Sequence, residues 1–234
     1  MELNYEYDTR LARIRPTTGG GSESKAGRRP PAPQGEGSAD DTARASLQRA
    51  ISRAVTSPVF TLIAGANGAG KSTLTGGNPE TFSSIPLLDP DRFMLPLSPS
   101  TTSPIAAGRE VLRLAKKYLE RGESFTIETK LSGRNYLEMM IRARTLGFEV
   151  VLIYIGTEGV NINLSRIQQR VLGGGHDVPE NDVRRRYARS LAHLPVAVQR
   201  ADHALLFDNS TESAYQLVGV LSPSLVQWFE PLPK

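Results

Sequence analysis

One short loop carries the residues best suited to chemistry. After the apolar run Phe60 to Ala64, the chain reads G-A-N-G-A-G-K-S from Gly65 to Ser72. Glycines let backbone N–H groups curl inward around a phosphate, the lysine reaches the β and γ oxygens, and the serine hydroxyl binds Mg²⁺. An apolar strand before the loop and a helix after it are the context in which this pattern binds nucleoside triphosphates. The predicted phosphate-binding residues are Gly65, Ala66, Asn67, Gly68, Ala69, Gly70, Lys71, Ser72 and Thr73, with Ser72 also the metal ligand.

A second group of polar residues follows the apolar segment Ile85 to Leu88, where the chain reads Asp89-Pro90-Asp91. An aspartate at the end of a strand can hold Mg²⁺ through water, or accept a proton from a substrate hydroxyl as phosphoryl transfer begins. We favour Asp91 for such a role, because a kinase needs a carboxylate opposite its phosphate-binding loop. The structural alternatives are a simple turn at Asp89-Pro90 and a helix cap at Asp91.

Arginines are concentrated on two helical segments that flank the triglycine Gly173 to Gly175. Arg166 and Arg170 stand four positions apart before it, so both can face one partner, and they repel each other unless an anion lies between them. A glycine run between two such helices is typical of the hinge of a lid. The alternative is a solvated basic face. The arginines after the hinge are Arg184, Arg185, Arg186 and Arg189.

Short apolar runs alternate with longer amphipathic segments along the rest of the chain. The predicted strands are 59–64, 85–88, 124–128, 150–155 and 204–207, and the predicted helices lie near Ser72 and over 105–121, 135–146, 159–172 and 179–194. Alternation of this kind predicts an α/β fold in which helices flank a parallel sheet of about five strands, with a small arginine-rich helical lid. Ligands of such sheets bind at the carboxyl ends of the strands.

The N-terminal region has a different composition. Residues 1–55 form a predicted extension, and residues 56–234 form the predicted catalytic domain. Within the extension, residues 16–37 are rich in Gly, Pro, Ser and charge, which is typical of a flexible linker. Apolar residues recur at helical spacing over 40–55, which predicts either a helix that packs ahead of the first strand or a regulatory segment that covers the nucleotide site.

Composition narrows the class of protein. The 234 residues are 39% hydrophobic, which is enough for one substantial core. The absence of cysteine excludes disulfides and thiolate metal sites, and the formal net charge of +4 is too small to favour nucleic acid as a partner. No apolar stretch approaches the roughly 20 residues of a membrane span, and no signal-peptide pattern stands at the N-terminus. We therefore expect no membrane association and a cytoplasmic location.

The order of the motifs resembles the short, single-domain branch of the zeta-toxin family of P-loop kinases. The resemblance covers about Val59 to Ser210, and the motifs are G-A-N-G-A-G-K-S-T, D-P-D-R-F, A-G-R, E-T-x-L-S-G, R-V-x-x-G-G-H-x-V-P-E and D-N-S. It implies an ATP-dependent kinase of a small molecule, because better-studied relatives phosphorylate a hydroxyl of a UDP-activated amino sugar. It also implies an antitoxin protein as a partner.

The resemblance assigns roles position by position. Lys71 and Ser72 would serve the ATP phosphates and Mg²⁺, and Asp91 would be the catalytic base. The substrate side would include Glu128, Thr129 and Arg109, while Arg170 and one of Arg184 to Arg186, for which we take Arg186, would clamp the transferring phosphoryl group. The chain departs from the family at Lys130, where a threonine is expected. A cation there changes the substrate pocket or adds a contact to an anionic substrate.

Two other hypotheses remain open at this point. The chain could be a P-loop kinase of another acceptor, such as an antibiotic, a nucleoside or a polynucleotide end. It could also be a nucleotide-dependent switch or interaction protein, in which nucleotide binding or hydrolysis changes contacts with another protein. Release of ADP that depends on an acceptor would distinguish a kinase from a switch.

Overall fold

A computed structural model describes residues 57–82, 84–91, 103–211, 215–222 and 225–228. The predicted N-terminal extension, with its linker and its helix over 40–55, lies outside the described residues. The last two residues of the D-P-D-R-F motif, Arg92 and Phe93, also lie outside them.

The strands are β1 Val59–Ala64, β2 Leu87–Leu88, β3 Phe125–Thr129, β4 Glu149–Gly156, β5 His203–Asp208, β6 Gln216–Ser222 and β7 Leu225–Trp228. They form one sheet in the order β2-β3-β1-β4-β5-β6-β7. The first five in this order pair in parallel, whereas β6 and β7 pair antiparallel at one edge. The predicted parallel α/β sheet is confirmed, and two antiparallel strands extend it.

The helices are α1 Lys71–Gly77, α2 Pro79–Phe82, α3 Pro104–Arg121, α4 Asn135–Thr145, α5 Val160–Leu172 and α6 Glu180–Arg200. Helix α3 begins where the Ser103 hydroxyl accepts a hydrogen bond from the N–H of Ala106, and it ends at Gly122 in the left-handed conformation. Helix α6 continues through Pro195 to Arg200, beyond the predicted end at residue 194, because Ala197 in its last turns is buried in the core.

The core lies on both faces of the sheet. Every residue of β1 is buried, and alternate side chains join two separate apolar clusters: Phe60 and Leu62 belong to one, and Val59 and Ile63 belong to the other. A strand buried on both faces reads as a continuous apolar run, which is why β1 is easily predicted from the sequence. Across the sheet, the rings of Phe60 and Phe125 stack with their centroids 4.7 Å apart.

The parallel strands place their following residues along a single edge of the sheet. In sheet order, Asp91 follows β2, Lys130 follows β3, Gly65 follows β1, Thr157 follows β4 and Asn209 follows β5. The site is therefore expected at this edge. No helix among the described residues is both long and apolar enough to cross a lipid bilayer.

Candidate active site

The glycine-rich loop between β1 and α1 has positive φ angles at Gly65, Gly68 and Gly70. Gly68 and Gly70 have φ angles of 76° and 103°. A Cβ atom added to Gly68 would lie 2.6 Å from the carbonyl oxygen of Asn163, and one added to Gly70 would lie 2.9 Å from the hydroxyl of Tyr215. Both positive φ values and both close approaches exclude a side chain. The loop is therefore packed closely against α5 and against the chain before β6.

Three side chains hold the carbonyl oxygens of this loop. Asn163 Nδ2 donates to the carbonyl of Asn67 at 2.6 Å, Asn209 Nδ2 donates to that of Ala69 at 2.9 Å, and the Tyr215 hydroxyl donates to that of Gly70 at 2.7 Å. Asn163 is itself fully buried, and its Oδ1 accepts a hydrogen bond from the hydroxyl of Thr157. The loop is therefore held in its shape by the protein before any ligand binds.

Lys71 lies within the loop that it is predicted to serve. Its side chain is 8% exposed in the folded protein, and Nζ donates to the carbonyl oxygen of Ala66 at 3.0 Å. Burial lowers the pKa of Lys71 to about 8, against the opposing attraction of Glu128. The ammonium is thus charged at neutral pH, and a phosphate can replace the carbonyl as its partner.

The lowered pKa of Lys71 predicts how nucleotide affinity depends on pH. Below pH 8 the ammonium is already protonated, so phosphate binding takes up no proton there. Above this pH the free protein holds Lys71 neutral, and binding must protonate it. The affinity for Mg-AMP-PNP is therefore expected to fall by up to about tenfold per pH unit above pH 8. Isothermal titration between about pH 7 and 9 measures this.

The matched control is Lys71→Arg, because a guanidinium stays charged over the same range and should remove the pH dependence. A wild-type affinity that does not change with pH would contradict a phosphate contact by a lysine of lowered pKa.

Glu128 lies beside Ser72. The strand pairing sets Glu128 of β3 opposite Ile63 of β1, and the Ser72 hydroxyl donates to Glu128 Oε1 at 2.6 Å. Glu128 is 4% exposed, and its Oε2 is buried with no hydrogen-bond partner among the described residues. Burial raises the pKa of this carboxyl, and Lys71 opposes the rise. A hydroxyl and a buried carboxylate with a spare oxygen are a donor set that suits Mg²⁺.

Asp91 is the most exposed acidic group of the site. Its side chain is 61% exposed, and Oδ1 lies 2.8 Å from Nζ of Lys130. Partial burial raises the pKa of Asp91, but the ammonium of Lys130 outweighs it, and the pKa is lower than usual. Asp89 is buried, and its Oδ1 accepts a hydrogen bond from the backbone N–H of Asp91 at 2.9 Å. Asp89 thus shapes the turn that presents Asp91.

The arginines have different surroundings. Arg166 donates to the carbonyl oxygens of Asn209 at 2.7 Å and of Thr211 at 3.1 Å, and Arg170 donates to that of His176 at 2.7 Å. Both line the cleft, as the spacing of four positions predicts. The hinge role of the glycines between α5 and α6 stays a prediction.

Arg186 reaches the phosphate-binding loop from α6. It forms an ion pair with Asp182 at 3.0 Å, and Nη1 lies 3.5 Å from Oδ1 of Asn67. Arg184 and Arg185 instead pair with acidic residues of their own helix. Arg186 is therefore the arginine of this group that touches the loop, and its role as a phosphoryl clamp stays a prediction.

The cleft at the carboxyl edge has a volume of about 970 Å³, which is at the upper end of the range of small-molecule sites. The predicted site residues that line it are Asn67, Gly68, Gly70, Lys71, Ser72, Thr73, Asp91, Glu128 and Arg170. Thr129 is buried, with its Oγ1 accepting from the N–H of Leu131, and Arg109 is exposed on α3. Neither is among the residues that line the cleft, so their roles in substrate binding stay predictions.

Sequence reasoning missed one wall of the cleft. Helix α5 contributes Asn161, Ser165 and Gln169 at intervals of four residues, and Tyr215, whose hydroxyl binds the carbonyl of Gly70, also lines the cleft. The interval of four is a signal that the sequence contains, because it places these polar side chains on one helix face. Nothing local in the sequence marks Tyr215.

A comparison of sequences gives one relative. No family model matches the chain. An uncharacterized protein of Haemophilus influenzae is 37% identical over 125 residues, which cover 53% of this chain and 88% of that protein. The chain belongs to the family of this Haemophilus influenzae protein.

Solved structures give the fold. The AvrRxo1-ORF1:-ORF2 structure with ATP has a TM-score of 0.57 at 16% identity and covers 80% of this chain and 66% of that chain. The same complex with sulphate ions has a TM-score of 0.58 at 18% identity, with the same coverage. A PezAT toxin–antitoxin structure from Streptococcus pneumoniae has a TM-score of 0.48 at 17% identity and covers 75% of this chain and 80% of that chain.

These likenesses bear on the fold alone, because the sequence identities are low. The chain spans slightly less than two thirds of the AvrRxo1 chains that it matches. The predicted α/β fold with a mostly parallel sheet is confirmed, and the chain shares this fold with the AvrRxo1 structures.

Proposed function

We propose that this protein is an ATP-dependent kinase that transfers the γ-phosphate to a hydroxyl of a small molecule, a nucleotide-sugar such as a UDP-amino sugar, with Asp91 as general base. One observation carries the proposal. A preformed phosphate-binding loop with Lys71 and Ser72 shares a single cleft with an exposed carboxylate, that of Asp91, which follows β2 at the same edge of the sheet. That combination is what phosphoryl transfer to a hydroxyl requires.

The sheet order divides the cleft into two halves. On one side of the loop, Arg166 on α5 and the chain from Asn209 to Thr211 form a wall suited to the nucleoside of ATP. On the other side, β3 and β2 lead to Lys130 and Asp91, which leaves that half for the acceptor. The structure with ATP that has a similar fold, AvrRxo1-ORF1:-ORF2, supports ATP as the nucleotide.

The reaction follows from these positions. The acceptor oxygen attacks the γ-phosphorus, the bond from that phosphorus to the β–γ bridging oxygen breaks, and ADP leaves with the bridging oxygen. The proton of the acceptor hydroxyl passes to a carboxylate oxygen of Asp91. Lys71 and Arg170 lie in the same cleft and stabilise the charge that develops on the transferred group. Asp91 must leave its ion pair with Lys130 before it can accept the proton.

Magnesium would be held next to Ser72. The residues present fit the ion, because the exposed Ser72 donates its hydroxyl to Glu128, whose second oxygen is buried with no hydrogen-bond partner among the described residues. Mg²⁺ neutralises charge on the phosphates when it is bound. We propose that Glu128 orients Ser72 toward the metal, in addition to or in place of the substrate contact that the resemblance implies.

The role of Glu128 predicts a change in metal affinity. Glu128→Gln keeps the shape of the side chain but removes its charge, and residues that support a metal ligand typically contribute about 10- to 100-fold to metal affinity. We expect the Mg²⁺ concentration that half-saturates AMP-PNP binding to rise by at least about tenfold. The control is Glu120→Gln, an exposed carboxylate on α3. An unchanged Mg²⁺ requirement in a folded Glu128→Gln protein would leave Glu128 without a role in metal binding.

The experiment for the function itself is incubation of the purified protein with Mg-ATP and a panel of UDP-sugars, followed by mass spectrometry. A product heavier by one phosphate, with ADP release that depends on the acceptor, is the expected result. ATP hydrolysis that no acceptor stimulates would instead favour the nucleotide-dependent switch. Phosphorylated products from nucleosides, antibiotics or polynucleotide ends, and none from sugars, would indicate a kinase of another acceptor.

A protein partner is part of the same proposal. The AvrRxo1-ORF1 structures are complexes with a second chain, and the resemblance to zeta toxins implies an antitoxin. Co-expression of this chain with its neighbouring genes, followed by purification, tests it.

A further inference from the structure

Lys130 occupies a position in the cleft that the phosphate-binding machinery does not need. It follows β3, one strand away from the loop that holds Lys71 and one strand away from Asp91. Its side chain is 23% exposed, and Nζ contacts Oδ1 of Asp91 at 2.8 Å. The charged group of Lys130 therefore lies within a few ångströms of the atom that receives the acceptor's proton.

The turn that presents Lys130 is fixed on both sides. Leu131 is fully buried and has a φ of 51°, a left-handed conformation that non-glycine residues seldom adopt. Its N–H donates to Oγ1 of Thr129 at 3.1 Å, and its carbonyl oxygen lies 2.8 Å from Nδ1 of His193 on α6. Strained backbone of this kind persists where the surrounding structure over-determines it. The backbone that carries Lys130 is thus held in place at the edge of the cleft.

The charges of the cleft are unbalanced. The residues that line it include four cations, Lys71, Lys130, Arg166 and Arg170, and two carboxylates, Asp91 and Glu128. Lys71 serves the nucleotide phosphates, and Arg166 is bound to backbone carbonyls at the far end. Lys130, Lys71 and Arg170 all act on the carboxylate of Asp91, and Lys130 is in direct contact with it. When Asp91 accepts the proton of the hydroxyl, it no longer neutralises Lys130, and an anion on the acceptor would take its place.

We propose that Lys130 determines specificity by binding an anionic group, a phosphate or a carboxylate, that the acceptor carries close to its reacting hydroxyl. Binding of this group draws Lys130 away from Asp91, so the acceptor itself frees the base. The inference rests on the proposed kinase function and narrows its substrate class. The anionic group must lie within reach of the Lys130 side chain while the hydroxyl lies at Asp91, because the two residues are neighbours in the cleft.

The test uses inorganic phosphate as the probe. The full chain is first saturated with Mg-AMP-PNP, so that the phosphate-binding loop is filled, and phosphate is then titrated by calorimetry. Wild type and Lys130→Arg are expected to bind phosphate with affinities within about threefold of each other, because both carry a cation. Lys130→Met is expected to bind at least about tenfold more weakly, because a charge-assisted contact is lost. The control Lys116→Met removes an exposed lysine of α3 and should match wild type.

The possible outcomes distinguish a failure of the proposed role of Lys130 from a failure of the proposed kinase function. Phosphate binding by Lys130→Met that equals wild type, or no phosphate binding by the AMP-PNP complex of wild type, overturns the role of Lys130 while the kinase proposal stands. Failure of wild type to bind Mg-AMP-PNP at all would instead overturn the kinase proposal. AMP-PNP affinity should agree within about twofold among the three Lys130 proteins, and a thermal melt establishes that each is folded.

Discussion

Replacing Asp91 with asparagine is expected to lower phosphoryl transfer by at least about a hundredfold, because a general base typically contributes about 10²- to 10⁴-fold. The amide keeps the shape of the side chain but cannot accept the proton of the acceptor hydroxyl. ATP should bind nearly normally, since Asp91 follows β2, two strands from the phosphate-binding loop, on the side that we propose for the acceptor. Stability should change little, because the ion pair with Lys130 involves a largely exposed carboxylate.

Asp89→Asn is the matched control for this experiment. Asp89 Oδ1 accepts the N–H of Asp91, and the amide oxygen of asparagine can accept the same hydrogen bond. The turn should therefore persist, and the transfer rate should fall much less than in Asp91→Asn. Single-turnover transfer and nucleotide affinity are measured for both variants. If Asp89→Asn lost activity and Asp91→Asn kept it, the assignment of Asp91 as the base would be wrong, and Asp89 would be the base instead.

The parts of this molecule that sequence predicts are those with local signals. The strand β1 is an uninterrupted apolar run, and the loop after it has its glycines and its Lys71 at fixed spacing. The parallel order follows because strands alternate with helices. The boundaries of β2 are harder to predict. The apolar segment spans residues 85–88, but only Leu87 and Leu88 pair with β3.

The strands β6 and β7 carry no comparable signal. Gly219 interrupts the apolar run of β6, and the residue that requires a glycine there is Trp228 of β7. A Cβ at Gly219 would approach Trp228 of β7 to 2.8 Å, so the small residue makes room for the indole ring. A glycine in a strand sequence weakens the prediction of a strand, although here it accompanies strand pairing.

The side chains that bind the carbonyl oxygens of the phosphate-binding loop could not be predicted either, because they come from distant parts of the chain. Asn163 is 96 positions from the carbonyl that it binds, and Tyr215 is 145 positions from its own. Contacts over such separations depend on the completed fold, and a single sequence does not encode them in any local pattern. The placement of Glu128 against Ser72, 56 positions away, is a third case.

Replacing Lys71 is expected to remove ATP-dependent turnover, with a loss of roughly 10²- to 10³-fold or more, the cost of removing one preorganised donor to a developing charge. We prefer Lys71→Met to Lys71→Ala, because the side chain is buried and methionine fills most of its volume. Stability should not fall, because the buried ammonium, whose pKa burial lowers to about 8, opposes folding at neutral pH, which offsets the lost hydrogen bond to the carbonyl of Ala66.

Three measurements separate these effects. Circular dichroism and a thermal melt report the fold, titration with Mg-AMP-PNP reports binding, and ADP release reports turnover. Lys117→Met on the exposed face of α3 is the matched control and should behave as wild type. Turnover that persists in a folded Lys71→Met protein would mean that the loop after β1 does not hold the transferred phosphate. The proposed function would then fail at its first step, because Asp91, Glu128 and Lys130 derive their proposed roles from a nucleotide held by that loop.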